Sequence, residues 1–293
     1  MTTLPPERTS AAPLESHQAR QIAESFGVDA DRYDRTRPRY PQGLVDRIVA
    51  TSPGRSVLDV GIGTGIVARQ LRDAGCAVLG VEADARMAEY ARRSGIDVEV
   101  ATFEAWDAAG RMFDAVVAGQ AWHWVDPVAG AAKAGQVLRP GGRFAAFWNA
   151  GDPPDAVADA TTAVHRRMMP AAAGYPSPPS SGRDGRDTPG GRGGQERRSV
   201  EDAYSAIRAK AKEGLRTAGG FDEPEEWRFD WEHSYTKDEW LDQVPTSGLL
   251  TRLPPAQLDE VLAEIGAAVD AVGGGFTVRY STIVITATWQ RKA

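Results

Sequence analysis

The stretch Asp59-Val60-Gly61-Ile62-Gly63-Thr64-Gly65 decides the fold of this chain. It follows a short apolar run, Ser56 to Val60, that reads as a buried strand. It precedes Ile66 to Ala74, whose apolar residues recur at helical spacing. Glycines at such a junction let the backbone turn sharply and let a ligand approach it closely. The start of the following helix adds N–H groups and a partly positive end.

The spacing narrows the ligand. A dinucleotide-binding turn runs G-x-G-x-x-G, which would put the third glycine where Ile66 stands. The pattern here is G-x-G-x-G, with a carboxylate, Asp59, two residues ahead of Gly61. A carboxylate aimed at the crevice would repel a diphosphate and suit a ligand with a cationic amine and no phosphate. This favours S-adenosylmethionine over NAD as the cofactor.

Outward from the turn, strand and helix patterns alternate. Ala77 to Glu82 reads as a strand, Ala85 to Ser94 as a helix, and Asp97 to Val100 and Phe113 to Ala118 as strands. Pro127 to Leu138 reads as a helix, Pro140-Gly141-Gly142 as a turn and Arg143 to Trp148 as a fifth strand. Upstream, Arg37-Pro38 and Tyr40-Pro41 favour extended backbone, and Gly43 to Ala50 forms a short amphipathic helix. Downstream, Glu225 to Tyr235 puts Trp227, Phe229, Trp231 and His233 on one face. Leu258 to Val272 carries a helical stripe, and Thr277 to Trp289 is a long β-branched strand. The expected architecture is α/β: a seven-stranded, mostly parallel, doubly wound Rossmann-like sheet with its last strand antiparallel and a helical cap insertion. Residues 1–25 are expected to be a flexible leader. Residues 26–293 are expected to form one domain, with a cap or substrate insertion over about 150–225 that includes a disordered Gly/Pro/Arg-rich loop at 174–199.

The turn resembles motif I of class I S-adenosylmethionine-dependent methyltransferases. Glu82, in Val81-Glu82-Ala83-Asp84, is similar to the acid that grips both ribose hydroxyls in that family. Ala101-Thr102-Phe103-Glu104 stands where the family contacts adenine. Gln120-Ala121-Trp122-His123-Trp124 stands where it lines the methyl-transfer crevice, and Leu138-Arg139-Pro140-Gly141-Gly142 resembles its turn into strand five. The run from Phe26 to Pro41, with Tyr33, Arg37, Pro38 and Tyr40, resembles the leader of a small-molecule subset similar to trans-aconitate methyltransferases and methyltransferase type 11 domain proteins. The Thr246-Ser247 region and the final strand fit the same subset. The resemblance implies cofactor contacts from Tyr33 and Arg37 over the site, and from Asp59, Gly61 and Gly63 in the turn. It implies further contacts from Glu82, Ala83 and Met87 after the second strand, Thr102 and Phe103 after the third, and Gln120 and Trp124 after the fourth. Arg37 pairs either with an acidic substrate or with the cofactor carboxylate.

The implied reaction is in-line methyl transfer from S-adenosylmethionine to oxygen, nitrogen or carbon of a small molecule, in secondary metabolism among other settings. Positioning is the main requirement. Trp122, Trp124, Trp148 and Tyr33 are candidate aromatic walls. His123 is the candidate catalytic residue, with a general-base role set against simple packing between Trp122 and Trp124. No histidine has a second ligand at metal spacing, so no metal site is expected. Asp152-Pro153-Pro154-Asp155 reads as a proline turn and not as a nucleic-acid methyltransferase signature. A net charge of -6 argues against nucleic-acid or anionic-membrane partners, and the single cysteine, Cys76, fits a reducing cytoplasm. A small-molecule substrate and a monomer or homodimer are expected. The alternatives are a nucleic-acid methyltransferase, a non-catalytic cofactor-binding member and, more remotely, an NAD(P)-dependent oxidoreductase.

Overall fold

A computed structural model describes residues 26–168 and 200–290. The expected flexible leader at 1–25 and the tract at 174–199 lie outside the described residues. Seven strands form one sheet: β1 (Ser56–Val60), β2 (Ala77–Glu82), β3 (Asp97–Val100), β4 (Phe113–Gly119), β5 (Leu138–Asp152), β6 (Glu225–Thr236) and β7 (Gly275–Thr288). Their spatial order is β3-β2-β1-β4-β5-β7-β6. Strands β1 to β5 are mutually parallel, and β7 runs antiparallel between β5 and β6. The expected Rossmann-like sheet with an antiparallel last strand is therefore the fold.

Strand order reverses between β1 and β4, because the chain steps outward from β1 in one direction and returns to start again at β4. At such a switch point the loops leaving the two central strands diverge and open a crevice. Those loops are the glycine turn and the segment from Gln120 onward.

Nine helices of the described residues cover the sheet: α1 (Ala30–Thr36), α2 (Gln42–Thr51), α3 (Ile66–Asp73), α4 (Ala85–Arg93), α5 (Pro127–Val137), α6 (Asp155–Met168), α7 (Val200–Ala218), α8 (Lys237–Gln243) and α9 (Pro255–Ala271). On one face Ala131, Ala134 and Val137 of α5 and Ala211 and Leu215 of α7 pack on Val116, Phe144, Trp148 and Ile285. On the other, Leu44, Val45 and Ile48 of α2 and Val67 and Leu71 of α3 pack on Val57, Val117, Phe147 and Val284. Each Val, Leu, Ile or Phe among them contributes roughly 1.5–3 kcal/mol by leaving water.

One sequence reading changes here. Pro140-Gly141-Gly142 does not precede the fifth strand but is a bulge inside it. Phe113 pairs with Leu138 and Ala115 with Arg143, so β5 advances five residues while β4 advances two. The last strand, β7, is buried on both faces from Ser281 to Ala287. Of the two helices in the segment expected as an insertion, α7 packs against α5 and completes a sheet face, and α6 packs against α9 through Val164, Val261 and Ile265.

Candidate active site

A cavity of about 330 Å3 opens over the C-terminal ends of β1, β2 and β4. Its floor is the glycine turn. Gly61 and Gly63 sit at φ +65 and +58, a region in which a Cβ would be strained. Gly61 N–H and Ile62 N–H donate to Val81 O at 2.8 and 3.2 Å, and Gly65 N–H donates to Ile62 O at 2.9 Å. Gly63 N–H donates to Oε2 of Glu82 at 2.8 Å, while Asp84 N–H donates to Oε1 at 2.9 Å. Four backbone donors of the turn are thus consumed within the protein, in contrast to a turn whose N–H groups cradle a phosphate.

Asp59 is fully buried, and neither carboxylate oxygen has a hydrogen-bond partner among the described residues. Burial and then the charge of Glu82 push its carboxyl well above the ordinary range. Asp59 is not among the residues lining the cavity; it stands two residues before Gly61 at the end of β1, with its carboxylate oxygens buried and unpartnered among the described residues. Glu82 does line the cavity. Burial raises its carboxyl, and the N–H groups of Asp84 and Gly63 lower it in part.

The roof comes from distant parts of the chain. Asp242 at the end of α8 receives Arg32 Nε at 3.0 Å and Arg35 Nη2 at 2.8 Å from α1. Asp34 of α1 holds Arg69 of α3 at 2.6 Å, with both side chains largely buried. Beyond α1, Arg37 Nη2 donates to Thr246 O at 2.6 Å and to Ser247 Oγ at 3.4 Å, with its guanidinium carbon 5.0 Å from the Tyr33 ring centre. These contacts hold Tyr33, Arg37, Tyr40 and Gln243 over the cavity. Arg37 Nε and Gln243 Nε2 are buried donors without an acceptor among the described residues.

The wall beyond β4 and β5 is aromatic and polar: His123, Trp124, Asn149, Tyr204 and Tyr280. Trp148 Nε1 donates to His123 Nδ1 at 3.2 Å, and burial pushes the imidazole down to about 4. Trp231 Nε1 donates to Thr282 Oγ1 at 2.9 Å, and Thr282 Oγ1 donates to Asn149 Oδ1 at 2.6 Å. Tyr280 stacks on Trp231, with ring centres 4.4 Å apart, and shares a 2.8 Å hydrogen bond with the Tyr235 hydroxyl. Gln120 is held at φ +55, its N–H on Phe147 O at 2.8 Å. A non-glycine residue in that region stores backbone strain, and such strain gathers at ligand sites.

The structure brings Tyr33, Arg37, Gly61, Gly63, Glu82, Ala83, Met87, Thr102, Phe103, Gln120, His123 and Trp124 onto one cavity surface; of the expected residues Asp59 alone does not line it. Phe103 is 3 % exposed and stacks on Trp106, so it serves the core as well. Two expected aromatic walls are corrected: Trp122 and Trp148 are 2 % and 0 % exposed and belong to the core. Asn149, Tyr204, Gln243 and Tyr280 were not expected. Asn149 carried a faint signal as the polar residue ending the apolar run Phe144 to Trp148, and Tyr280 shares the strand face of Thr282. Among the described residues no cluster of metal-ligating side chains occurs, and no helix is long and apolar enough to cross a membrane.

Residues 58–146 match the methyltransferase domain family. An uncharacterized methyltransferase of Mycobacterium tuberculosis is 37% identical over 136 residues, 45% of this chain and 55% of that protein. A malonyl-[acyl-carrier protein] O-methyltransferase of Enterobacter lignolyticus is 35% identical over 42% of this chain and 51% of its own length. The chain therefore spans about half the length of the curated relatives it matches. A type II methyltransferase structure from Anaeromyxobacter dehalogenans superposes with TM-score 0.55 at 23% identity, covering 87% of this chain and 99% of that one, and so shares its fold.

Proposed function

We propose, from the premise that this chain carries a Rossmann-like methyltransferase domain, that it is an S-adenosylmethionine-dependent methyltransferase acting on a small molecule. The observation that carries the reading is the cavity's distribution of unmatched polar groups. Two unpartnered carboxylate oxygens of Asp59 lie buried at the end of β1, and buried donors on Arg37 and Gln243 lie in the roof. Buried polar groups without partners are costly, so their presence marks the place of a ligand. An α-amino acid group, cationic at the amine and anionic at the carboxylate, complements both sets. Glu82 has acceptor capacity left for a vicinal diol, and four N–H groups of the turn, those of Gly61, Ile62, Gly63 and Gly65, are already bonded within the protein, which disfavours a diphosphate there. The residues present therefore fit S-adenosylmethionine, which would supply an electrophilic sulfonium-borne methyl group.

The protein's own contribution is alignment and exclusion of water. Tyr33, Trp124, Tyr204 and Tyr280 surround the reacting volume with aromatic surface, and Arg37 ties the roof down. Holding two reactants in line contributes up to about 7–11 kcal/mol in model reactions. The cavity's volume of about 330 Å3 and the net charge of -6 favour a small acceptor over a polymer or nucleic acid. Calorimetric titration with S-adenosylhomocysteine, followed by transfer of labelled methyl from S-adenosylmethionine to a panel of small acids, phenols and amines, tests the reading. Saturable binding and label in an acceptor are expected; binding of NAD in place of S-adenosylhomocysteine would end it.

A further inference from the structure

Two indoles fix the chemistry of the cavity's far wall from behind. An indole N–H only donates. Trp148 Nε1–H points at His123 Nδ1, so Nδ1 holds a lone pair and the proton of the neutral ring is on Nε2. No protein atom among the described residues pairs with Nε2, and His123 lines the cavity. The second relay works the same way. Trp231 Nε1–H fills the acceptor side of Thr282 Oγ1, so the hydroxyl proton goes on to Asn149. The atom receiving it must be Oδ1, which leaves the Nδ2 hydrogens as the free face of that amide. Asn149 is 7 % exposed and also lines the cavity.

We propose that His123 Nε2–H and Asn149 Nδ2–H are fixed hydrogen-bond donors that read an oxygen of the methyl acceptor, a carbonyl or carboxylate oxygen near the methylated atom. Trp148, Thr282 and Trp231 are the positioning residues that set them. His123 is thereby a donor to the substrate and takes no proton from it: its one basic nitrogen is committed to Trp148. Burial of the ring, which keeps it neutral across the physiological range, agrees with that role. Tyr204, Tyr280 and Trp124 line the same cavity as the two donors. The substrate part of this inference rests on the methyltransferase reading; the tautomer part does not.

The chain has four histidines, so nitrogen-15 NMR of histidine-labelled protein gives few resonances, and His123→Gln assigns the one that matters. At neutral pH, free protein is expected to show His123 protonated at Nε2 alone, and Trp148→Phe to show a mixture of tautomers. A proton on Nδ1 in the wild type would overturn the assignment whether or not any cofactor binds. With the protein saturated in S-adenosylhomocysteine, benzoate is the probe. It is expected to shift the His123 Nε2 and Asn149 amide signals saturably, benzylamine is not, and Thr282→Val is expected to weaken benzoate about tenfold, the loss of one fixed hydrogen bond. Absence of a benzoate shift, or an equal shift with benzylamine, would overturn oxygen recognition. Failure of S-adenosylhomocysteine itself to bind would show separately, in the calorimetry of the same sample, and would count against the methyltransferase reading alone.

Discussion

The backbone N–H of Gly63 donates to Glu82 Oε2 at 2.8 Å, joining the turn after β1 to the acid that closes β2. Any ligand that bonds to Glu82 therefore also feels the position of the turn. A shift at either strand end displaces both.

The two glycines of that floor should separate folding from binding. A Cβ on Gly61 would lie 2.5 Å from Cβ of Ala121, whereas one on Gly63 meets nothing within 4 Å and projects into open space. Gly63→Ala is expected to cost roughly 1–2 kcal/mol of stability, the strain of a side chain at positive φ. It should also weaken S-adenosylhomocysteine far more than that strain accounts for. Gly61→Ala adds overpacking of about 1–3 kcal/mol, so its melting temperature should fall further. Melts and calorimetry on both variants check the contrast; equal effects on binding and stability in Gly63→Ala would contradict it.

Asp59 should be a residue that binding needs and folding does not. A buried acid whose carboxyl is raised contributes stability at low pH and loses it as pH rises through the raised value. Asp59→Asn removes that loss, so the free variant should melt above the wild type at neutral pH while S-adenosylhomocysteine affinity drops at least tenfold. The same sign fixes the pH response of the wild type. Protonated Asp59 cannot favour a cationic amine, so affinity should fall as pH falls toward the raised value, and binding there should release a proton. Titrations in buffers of differing ionisation enthalpy measure that proton.

His123 shifts stability the opposite way. Its folded value is about 4 against an ordinary 6.5, so its contribution is complete above 6.5 and is lost as pH falls from there toward 4. The loss is worth up to about 3 kcal/mol. Urea unfolding of wild type and His123→Gln at neutral pH and at pH 4 isolates it, because Asp59 and Glu82 are common to both proteins. The wild type should lose more than the variant.

Asp242 holds two arginines of α1 and is part of the roof's fastening, not of the cavity. Partly exposed ion pairs contribute about 0–1 kcal/mol each. Asp242→Asn should barely move the melting temperature, but should raise the dissociation rate of S-adenosylhomocysteine several-fold by stopped flow. An unchanged rate would show that α1 does not gate the site.

The fold was legible because its signals are local. The run Ser56 to Val60, the glycines and the stripe of α3 each fit one element, and their succession leaves few topologies. The residues expected on the cofactor side come together for the same reason: Gly61, Gly63 and Thr102 follow closely on strand ends and Glu82 ends a strand. The burial of Asp59 was not legible, because a strand residue two places before a turn can line a crevice or be buried in the interior, and no local pattern says which. Trp122 and Trp148 look like their neighbour Trp124 in sequence, yet tertiary packing sends them to the core. Tyr204 and Gln243 reach the cavity from helices whose placement depends on long-range contacts with α5 and α1. No periodicity carries that information.

Arg37 and Thr246 meet across a separation of 209 residues. During synthesis the sheet from β1 to β4, with its glycine turn, is made long before the partner that latches the N-terminal side of the roof. A ribosome-bound chain short of Thr246 would have α1 tied to α3 through Asp34 and Arg69, but Arg37 without its latch. Competence to enclose a ligand is thus a late event in the life of each molecule, reached only when an early segment and a late one find each other.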